Sequence, residues 1–294
     1  MKIIENNRVF AFDAKNECVA EVMDGETVVF RTHDCFDNQL SEEGSCIGAL
    51  NWDRINPATG PVYVQNAKAG DVLKVDILEI ALDKQGVMCA LPENGVLGSL
   101  VKEESVKRIQ VEEGKVHFND KLVFDVTPMI GVIGVAPENG SINCGTPGCH
   151  GGNMDNKRIK VGASLYFPVF HEGAIFSLGD VHAAMGDGEV MVSGVEISAE
   201  VKVRLSVIKG ISIETPILEN EEICGVIYSH EKIEKAIFHA VRIMNERVQE
   251  NLGLSLNEAG MLLSAVGNLR FCQVVDPERT VMMCIPKKIM KSLF

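Results

Sequence analysis

The hydrophobic period of this chain changes once. Over the first two thirds, apolar residues come in short runs or at every second position, between turn residues. Residues 200–207, Glu-Val-Lys-Val-Arg-Leu-Ser-Val, alternate strictly and put Val201, Val203, Leu205 and Val207 on one face. That is the pattern of a half-buried strand in an antiparallel sheet. Residues 8–12, 27–32 and 72–80 read as further extended runs, and 106–126 as paired strands around Glu113-Gly114 and Asn119-Asp120. From Ser229 the period becomes helical. Ile233, Ala236, Ile237, Ala240, Val241, Met244, Val248 and Leu252 recur at offsets of three and four, and Gly253 closes the run. A second helix is expected from Ser255, with Glu258 completing a capping box, to Gly267. Two short strands, 271–275 and 281–285, follow on either side of Asp276-Pro277.

These elements predict a mainly β protein: antiparallel sheets forming a sandwich- or barrel-like body, with a smaller α+β C-terminal part. No linker composition separates the two. The expected division is 1–215 for the body, which carries the active site, and 216–294 for the C-terminal part.

Composition narrows the function classes. The 294 residues include 28 Lys plus Arg and 41 Asp plus Glu, a net charge of −13. Such a chain repels phosphate backbones, so no nucleic-acid partner is expected. The longest apolar stretch, 126–137, is interrupted by two prolines and two glycines, and no membrane span or signal peptide is legible. A cytoplasmic location is the expectation. The nine cysteines are odd in number, irregularly spaced and without a Cys-x-x-Cys pair, and read as reduced, mostly buried thiols. A homo-oligomer, most simply a dimer, is expected on symmetry grounds.

Three segments carry candidate chemistry. Residues 131–153 hold seven glycines and two prolines in 23 positions and lack a dinucleotide or Walker pattern. They read as a long loop free of regular elements whose backbone approaches something closely, with His150, Asn153 and Asp155 beside pliable backbone. In the second segment, Asp180 and His182 end an apolar, strand-like run, and an i, i+2 pair on a strand shares one face. A carboxylate and an imidazole side by side suit metal chelation. Asp187 and Glu189 repeat the spacing after Gly186. The third segment is 31–39, where His33 and Asp34 point to opposite faces if the strand continues; either one alone reads as a solvated loop residue. His117, His230 and His239 read as structural, and His171 is open.

The order of Asn56-Pro-Ala-Thr-Gly-Pro-Val-Tyr-Val64, Gly70-Asp-Val-Leu73, Gly134-Val-Ala-Pro137, Cys149-His-Gly-Gly-Asn153-Met-Asp155 and Gly179-Asp-Val-His-Ala-Ala-Met-Gly-Asp-Gly-Glu189 resembles the acetamidase/formamidase family. The resemblance spans nearly the whole chain, and its last motif is the most specific. It implies hydrolysis of short aliphatic amides to a carboxylate and ammonia, a β-rich body and a bound divalent metal. Of the 31–39 segment it carries over Asp34 and not His33.

Asp34, His150, Asp180 and His182 are therefore the expected metal ligands, for Zn²⁺ or a similar ion. Glu189 is the expected general base, with Asp187 next in line, and His150 a second catalytic candidate. Asp187 with backbone carbonyls is a possible structural Ca²⁺ site. Two alternatives stay open: a thiol amidase built on Cys149, and a non-catalytic protein that binds a metal or a small amide in the same pocket.

Overall fold

The computed structural model describes residues 2–294. It is 41% strand and 14% helix. Eighteen strands join one branched, largely antiparallel hydrogen-bonded network, and a further pair, Ala11–Asp13 with Ser141–Asn143, stands apart. The network does not close into a barrel.

The longest strand, Val72–Ala90, explains why the body holds together. It pairs with Ser105–Glu112, Ser164–Pro168 and Glu196–Ile208. Glu196–Ile208 also pairs with Thr27–Thr32. Its strict alternation has the expected outcome: Val201, Val203 and Leu205 are fully buried, packed in one core with Phe30, Val75 and Ile197. Burying that apolar face removes side chains from water at about 1.5–3 kcal/mol each, and a one-residue slip would expose all of them.

Ile217–Glu219 lies between Ser164–Pro168 and Ile223–His230, so hydrogen bonds run unbroken from the body into the C-terminal residues. There the helix α1, Ile233–Leu252, packs Ala236, Ala240, Met244 and Val248 onto the sheet. Gly253 ends it with a left-handed φ of 66°. Ser229 and His230 belong to the preceding strand rather than to the helix, because Ser229 and His230 pair with Thr280 and Arg279. The helix α2, Leu256–Val266, opens on the Ser255–Glu258 capping box. Asn268–Gln273 and Arg279–Pro286 then form a hairpin, and its connecting turn carries Asp276 back towards the body.

One expectation is corrected here. The glycine-rich segment is not a structureless loop: Met129–Gly134, Ser141–Asn143 and Gly151–Asn153 are strands. Two of its glycines answer to close approach. A Cβ at Gly131 would collide with Asp155 Oδ1 and Asp180 Oδ2, and one at Gly134 with the His150 carbonyl.

Candidate active site

Five segments of backbone converge on one buried point. The strand Phe176–His182 delivers Asp180 and His182. The first residue of Glu196–Ile208 is the cross-strand partner of His182. Asp155 follows Gly151–Asn153, and Glu189 comes from the turn after Gly186. Asp276 reaches the same place from the last hairpin. That turn is fastened to the Glu189 turn by hydrogen bonds from Gly188 N to the Cys272 carbonyl and from Val274 N to the Gly188 carbonyl.

Asp155, Asp180 and Glu189 all sit in left-handed backbone, at φ of 39°, 51° and 47°. Non-glycine residues adopt that region at a cost of order 1–3 kcal/mol, and in folded proteins it clusters at functional sites. Asp180 and His182 lie on one strand as expected, in unbroken register with Met129–Gly134. The carboxylate and imidazole meet there, with His182 Nε2 at 3.2 Å from Asp180 Oδ1.

His182 is the one base of the cluster. Its Nε2 lies 3.0 Å from Glu196 Oε2 and 3.7 Å from Asp155 Oδ1. Among the described residues, no Lys or Arg pairs with Asp155, Asp180, Glu189, Glu196 or Asp276. Neither oxygen of Asp155 has a hydrogen-bond donor, although the residue is 1% exposed. Burial and the neighbouring carboxylates Glu189 and Asp180 push Asp155 well above the usual carboxylate range. Burial likewise raises Glu189, against the pull of His182, and raises Asp276. Glu196 is pushed up to about 7 by burial, which outweighs His182. Burial disfavours the His182 imidazolium, but Glu196 and Asp180 outweigh it and hold the ring well above its ordinary value.

A cavity of about 120 Å³ opens onto this cluster. Its polar side is Cys35, Asn153, Asp180, Glu189, Glu196 and Asp276, and its apolar side includes Phe36, Trp52, Ile55, Leu91 and Val192. Asn153 Nδ2 donates to Asp276 Oδ2 at 3.0 Å, while its Oδ1 has no partner. Glu189 Oε1 accepts from Gly194 N at 3.1 Å. A groove of about 700 Å³ on the far side of Glu189 is larger but mostly apolar, lined by residues such as Met88, Phe118, Leu122 and Phe124. It lacks the convergent polar groups that a reaction site needs.

Two groups of three side chains place donor atoms within 4.8 Å of one another: Asp155, His182 and Glu189, and Cys35, Asp180 and Glu196. An imidazole, carboxylates and a thiol form a donor set for Zn²⁺ or a comparable transition ion. The oxygens of Asp155 fit a cation in the first group, because neither has a hydrogen-bond donor and His182 alone, at 3.7 Å, only partly offsets their burial.

The sequence candidates are placed as follows. Asp180, His182 and Glu189 are brought together. His150 is fully buried, yet neither ring nitrogen has a partner, and it packs edge-on against Phe12 at 5.2 Å between centroids. Burial lowers its pKa to about 4, with no carboxylate beside it. The structure thus keeps His150 apart from the donor groups. Asp34 stands next to Cys35 at the edge of the site, but its Oδ1 is occupied by Phe36 N and Asn38 N at 3.0 and 2.8 Å. Burial lifts it to about 6. Asp187 is exposed and paired with Arg158 at 3.0 Å and Lys157 at 3.3 Å.

His33 is not a solvated loop residue. With Arg8 and Arg54 it surrounds the buried Asp37, its Nδ1 2.7 Å from Asp37 Oδ1. Cys149 is exposed while the adjacent His150 is buried. Partial desolvation, with Glu138 adding to it, raises the Cys149 thiol against backbone N–H groups of Cys149 and His150, and no imidazole or cation is among its neighbours. That is the reverse of an activated nucleophile. Glu196, Asp276 and Cys35 were missed as site members, and Asp155, though noted beside His150, was not placed among the ligands. For Asp276 the signal was an Asp-Pro turn; for Asp155, its place two residues after Asn153 in the quoted motif.

The acetamidase/formamidase family matches residues 6–145 and 141–292 of the chain. A crystal structure of a recombinant predicted acetamidase/formamidase from the thermophile Thermoanaerobacter tengcongensis is 44% identical, with a TM-score of 0.97 over 99% of this chain and 97% of that one. An acetamidase from Bacillus halodurans is 40% identical, also with a TM-score of 0.97, over 99% of each chain. A formamidase of Methylophilus methylotrophus is 22% identical over 250 residues, 65% of this chain and 61% of that one. The chain matches 61–62% of the length of the first full-length formamidases it resembles. Among the described residues, no helix is long and apolar enough to cross a membrane.

Proposed function

We propose a function from one premise: the chain belongs to the acetamidase/formamidase family. It is an amidohydrolase acting on short linear amides, cleaving the C–N bond to give a carboxylate and ammonia. The observation that supports this most is the 120 Å³ cavity bounded by Asp180, Glu189, Glu196 and Asp276. It has room for an amide of a few heavy atoms. Its carboxyl groups suit proton transfer, which amide hydrolysis needs twice: away from the attacking water and onto the departing nitrogen.

Metal dependence belongs to the same proposal. Asp155 and His182 would hold a divalent ion, Zn²⁺ being the best match to an imidazole–carboxylate set, with the Glu189 carboxylate within 4.8 Å of both as the base beside it. Bound there, such an ion lowers the pKa of a coordinated water and polarises a carbonyl. The chain's own residues do the rest. Glu189, with Oε1 fixed by the Gly194 N–H, accepts a proton from water. Glu196, hydrogen-bonding distance from His182, returns one to nitrogen. Phe36, Trp52 and Ile55 limit the cavity and exclude bulk water, which strengthens the charge interactions inside it.

Ammonia release from formamide, acetamide and longer amides tests the reading. Turnover of the one- and two-carbon amides, falling as the chain lengthens, supports it. Binding without turnover would leave the non-catalytic alternative in its place.

A further inference from the structure

We infer that Asp37 is the positioning residue that holds the apolar wall of the cavity in place and thereby sets which amides fit. This rests on the amide-hydrolase reading above and goes beyond it in naming what fixes the substrate size. The wall comes from two separate turns: 35–40 supplies Phe36, and the short 3₁₀ turn Trp52–Arg54 with the residue after it supplies Trp52 and Ile55. Asp37 joins them. It is 7% exposed, and both its oxygens are engaged. His33 Nδ1 and Arg8 Nε lie 2.7 and 2.9 Å from Oδ1. Arg54 Nε donates to Oδ2 at 2.8 Å. Arg8 belongs to a strand paired with Ala58–Val64, so the clamp is anchored in the sheet. Neither Asp37 nor Arg54 lines the cavity. Both act through Trp52 and Ile55 rather than on substrate.

The two turns are held by different forces. Phe36 is buried and packs with Leu40, Leu50 and Cys89 in a small core of its own. Trp52 is 56% exposed, so burial does little to fix it. Its turn is held by polar contacts. The Gln39 side chain accepts from Asn51 N at 2.8 Å and donates to the Asn51 carbonyl at 3.3 Å. Asn56 N donates to the Cys35 carbonyl at 2.7 Å. The Asp37–Arg54 pair is the charged one of these links, and charge-assisted bonds are roughly twice as strong as neutral ones. Asp37 and Asn38 also hold left-handed backbone, at φ of 53° and 61°, which non-glycine residues keep only where their surroundings impose it. An apolar pocket discriminates one methylene by about 10–200-fold, and it does so only if its walls do not yield. A cavity of about 120 Å³ leaves little slack.

Trp52 is the single tryptophan of the chain, so its fluorescence reports on the wall directly. In Asp37→Asn and Arg54→Ala, made in the full chain, Trp52 should lose anisotropy and become more accessible to acrylamide. In ammonia release, kcat/KM for butyramide relative to acetamide should rise about tenfold, the lower end of what one methylene is worth in a tight apolar pocket. The acetamide loss should fall on KM rather than kcat. Arg54 is half-exposed, and its removal leaves Asp37 paired with Arg8 and His33. Arg54→Ala therefore carries the test if circular dichroism shows Asp37→Asn unfolded. Arg54→Lys should restore part of the selectivity. Arg31→Ala, which breaks an exposed pair with Glu5 and Glu200, should match the wild type in both readouts. An unchanged amide ratio in folded Arg54→Ala overturns the inference, and so does an equal loss on both amides, the mark of a residue that only stabilises the fold. A wild type that hydrolyses neither amide overturns the activity instead, and Trp52 quenching then decides alone whether Asp37 holds the wall.

Discussion

Asp76 and Asp155 are both buried aspartates, and the fold treats them in opposite ways. Asp76 is ringed by its own counter-charges: Lys74 at 2.9 Å, Arg204 at 2.8 Å and the Ser164 hydroxyl at 2.5 Å. Burial would raise its pKa, but these partners win and hold it below the usual carboxylate range. Asp155 has no donor on either oxygen and sits among Glu189, Asp180 and Glu196, which together with burial drive it far upward. The first arrangement stabilises the fold. The second destabilises it unless a proton or a cation arrives, and leaving one partner of a buried set uncompensated typically costs about 3–5 kcal/mol. A protein that keeps such a group, in left-handed backbone, keeps it for something that binds there.

The contrast can be broken most severely at Glu189. Glu189→Gln preserves shape and removes the base, so kcat should fall by about 10²–10⁴-fold, with metal content retained. Loss of the ion along with the activity would make Glu189 a ligand instead. A near-native kcat in a folded, metal-loaded protein would remove it from the chemistry and pass the role to Glu196.

Next comes the glycine that lets two carboxylates approach. Gly131→Ala puts a methyl group against Asp155 and Asp180. Overpacking of this kind costs about 1–3 kcal/mol, and the displaced carboxylates should cost activity as well. Thermal denaturation and ammonia release read the two effects separately. Unchanged values for both would mean that the carboxylates lie further from Gly131 than described here.

The comparison sharpens in the metal-free protein. Asp76→Asn should lower stability by about 1–2 kcal/mol, the worth of charge-assisted bonds to partly exposed partners. Asp155→Asn should raise the melting temperature at pH 8. The signs follow from linkage. Asp76, depressed in the folded state, contributes stability above the unfolded value of about 3.9, and that contribution is lost as pH falls through its lower folded value. Asp155, raised in the folded state, makes the metal-free protein less stable as pH climbs above that unfolded value. Equal shifts in the same direction for the two variants would erase the distinction. The smallest effect is expected at Cys149→Ser: activity within about twofold of wild type, since its thiol is not activated.

Elements set by local period were legible in the sequence. The strict alternation of 200–207, the helix closed by Gly253 and the Ser255–Glu258 box all reappear in the structure. Asp180, His182 and Glu189 were legible as candidates because they crowd one motif. Glu196 was not, because only the cross-strand register places it opposite His182. Asp276 was missed because its hairpin packs onto the Glu189 turn from the far end of the chain. The close approach expected of the glycines of 131–153 is seen at Gly131 and Gly134, but the strands among them were not legible, because glycine density masks the alternation that marks a strand. His150 lies outside both donor groups and packs on Phe12, a placement that only the tertiary fold sets.

The central claim is that the uncompensated carboxylates exist to hold a divalent ion that amide hydrolysis requires. The direct measurement follows ammonia release from acetamide or formamide while a chelator strips the protein, with metal content determined at each step, and then restores the ion. The account predicts that activity falls in proportion to bound metal and returns with Zn²⁺. Full activity in protein shown by elemental analysis to be free of metal would contradict it.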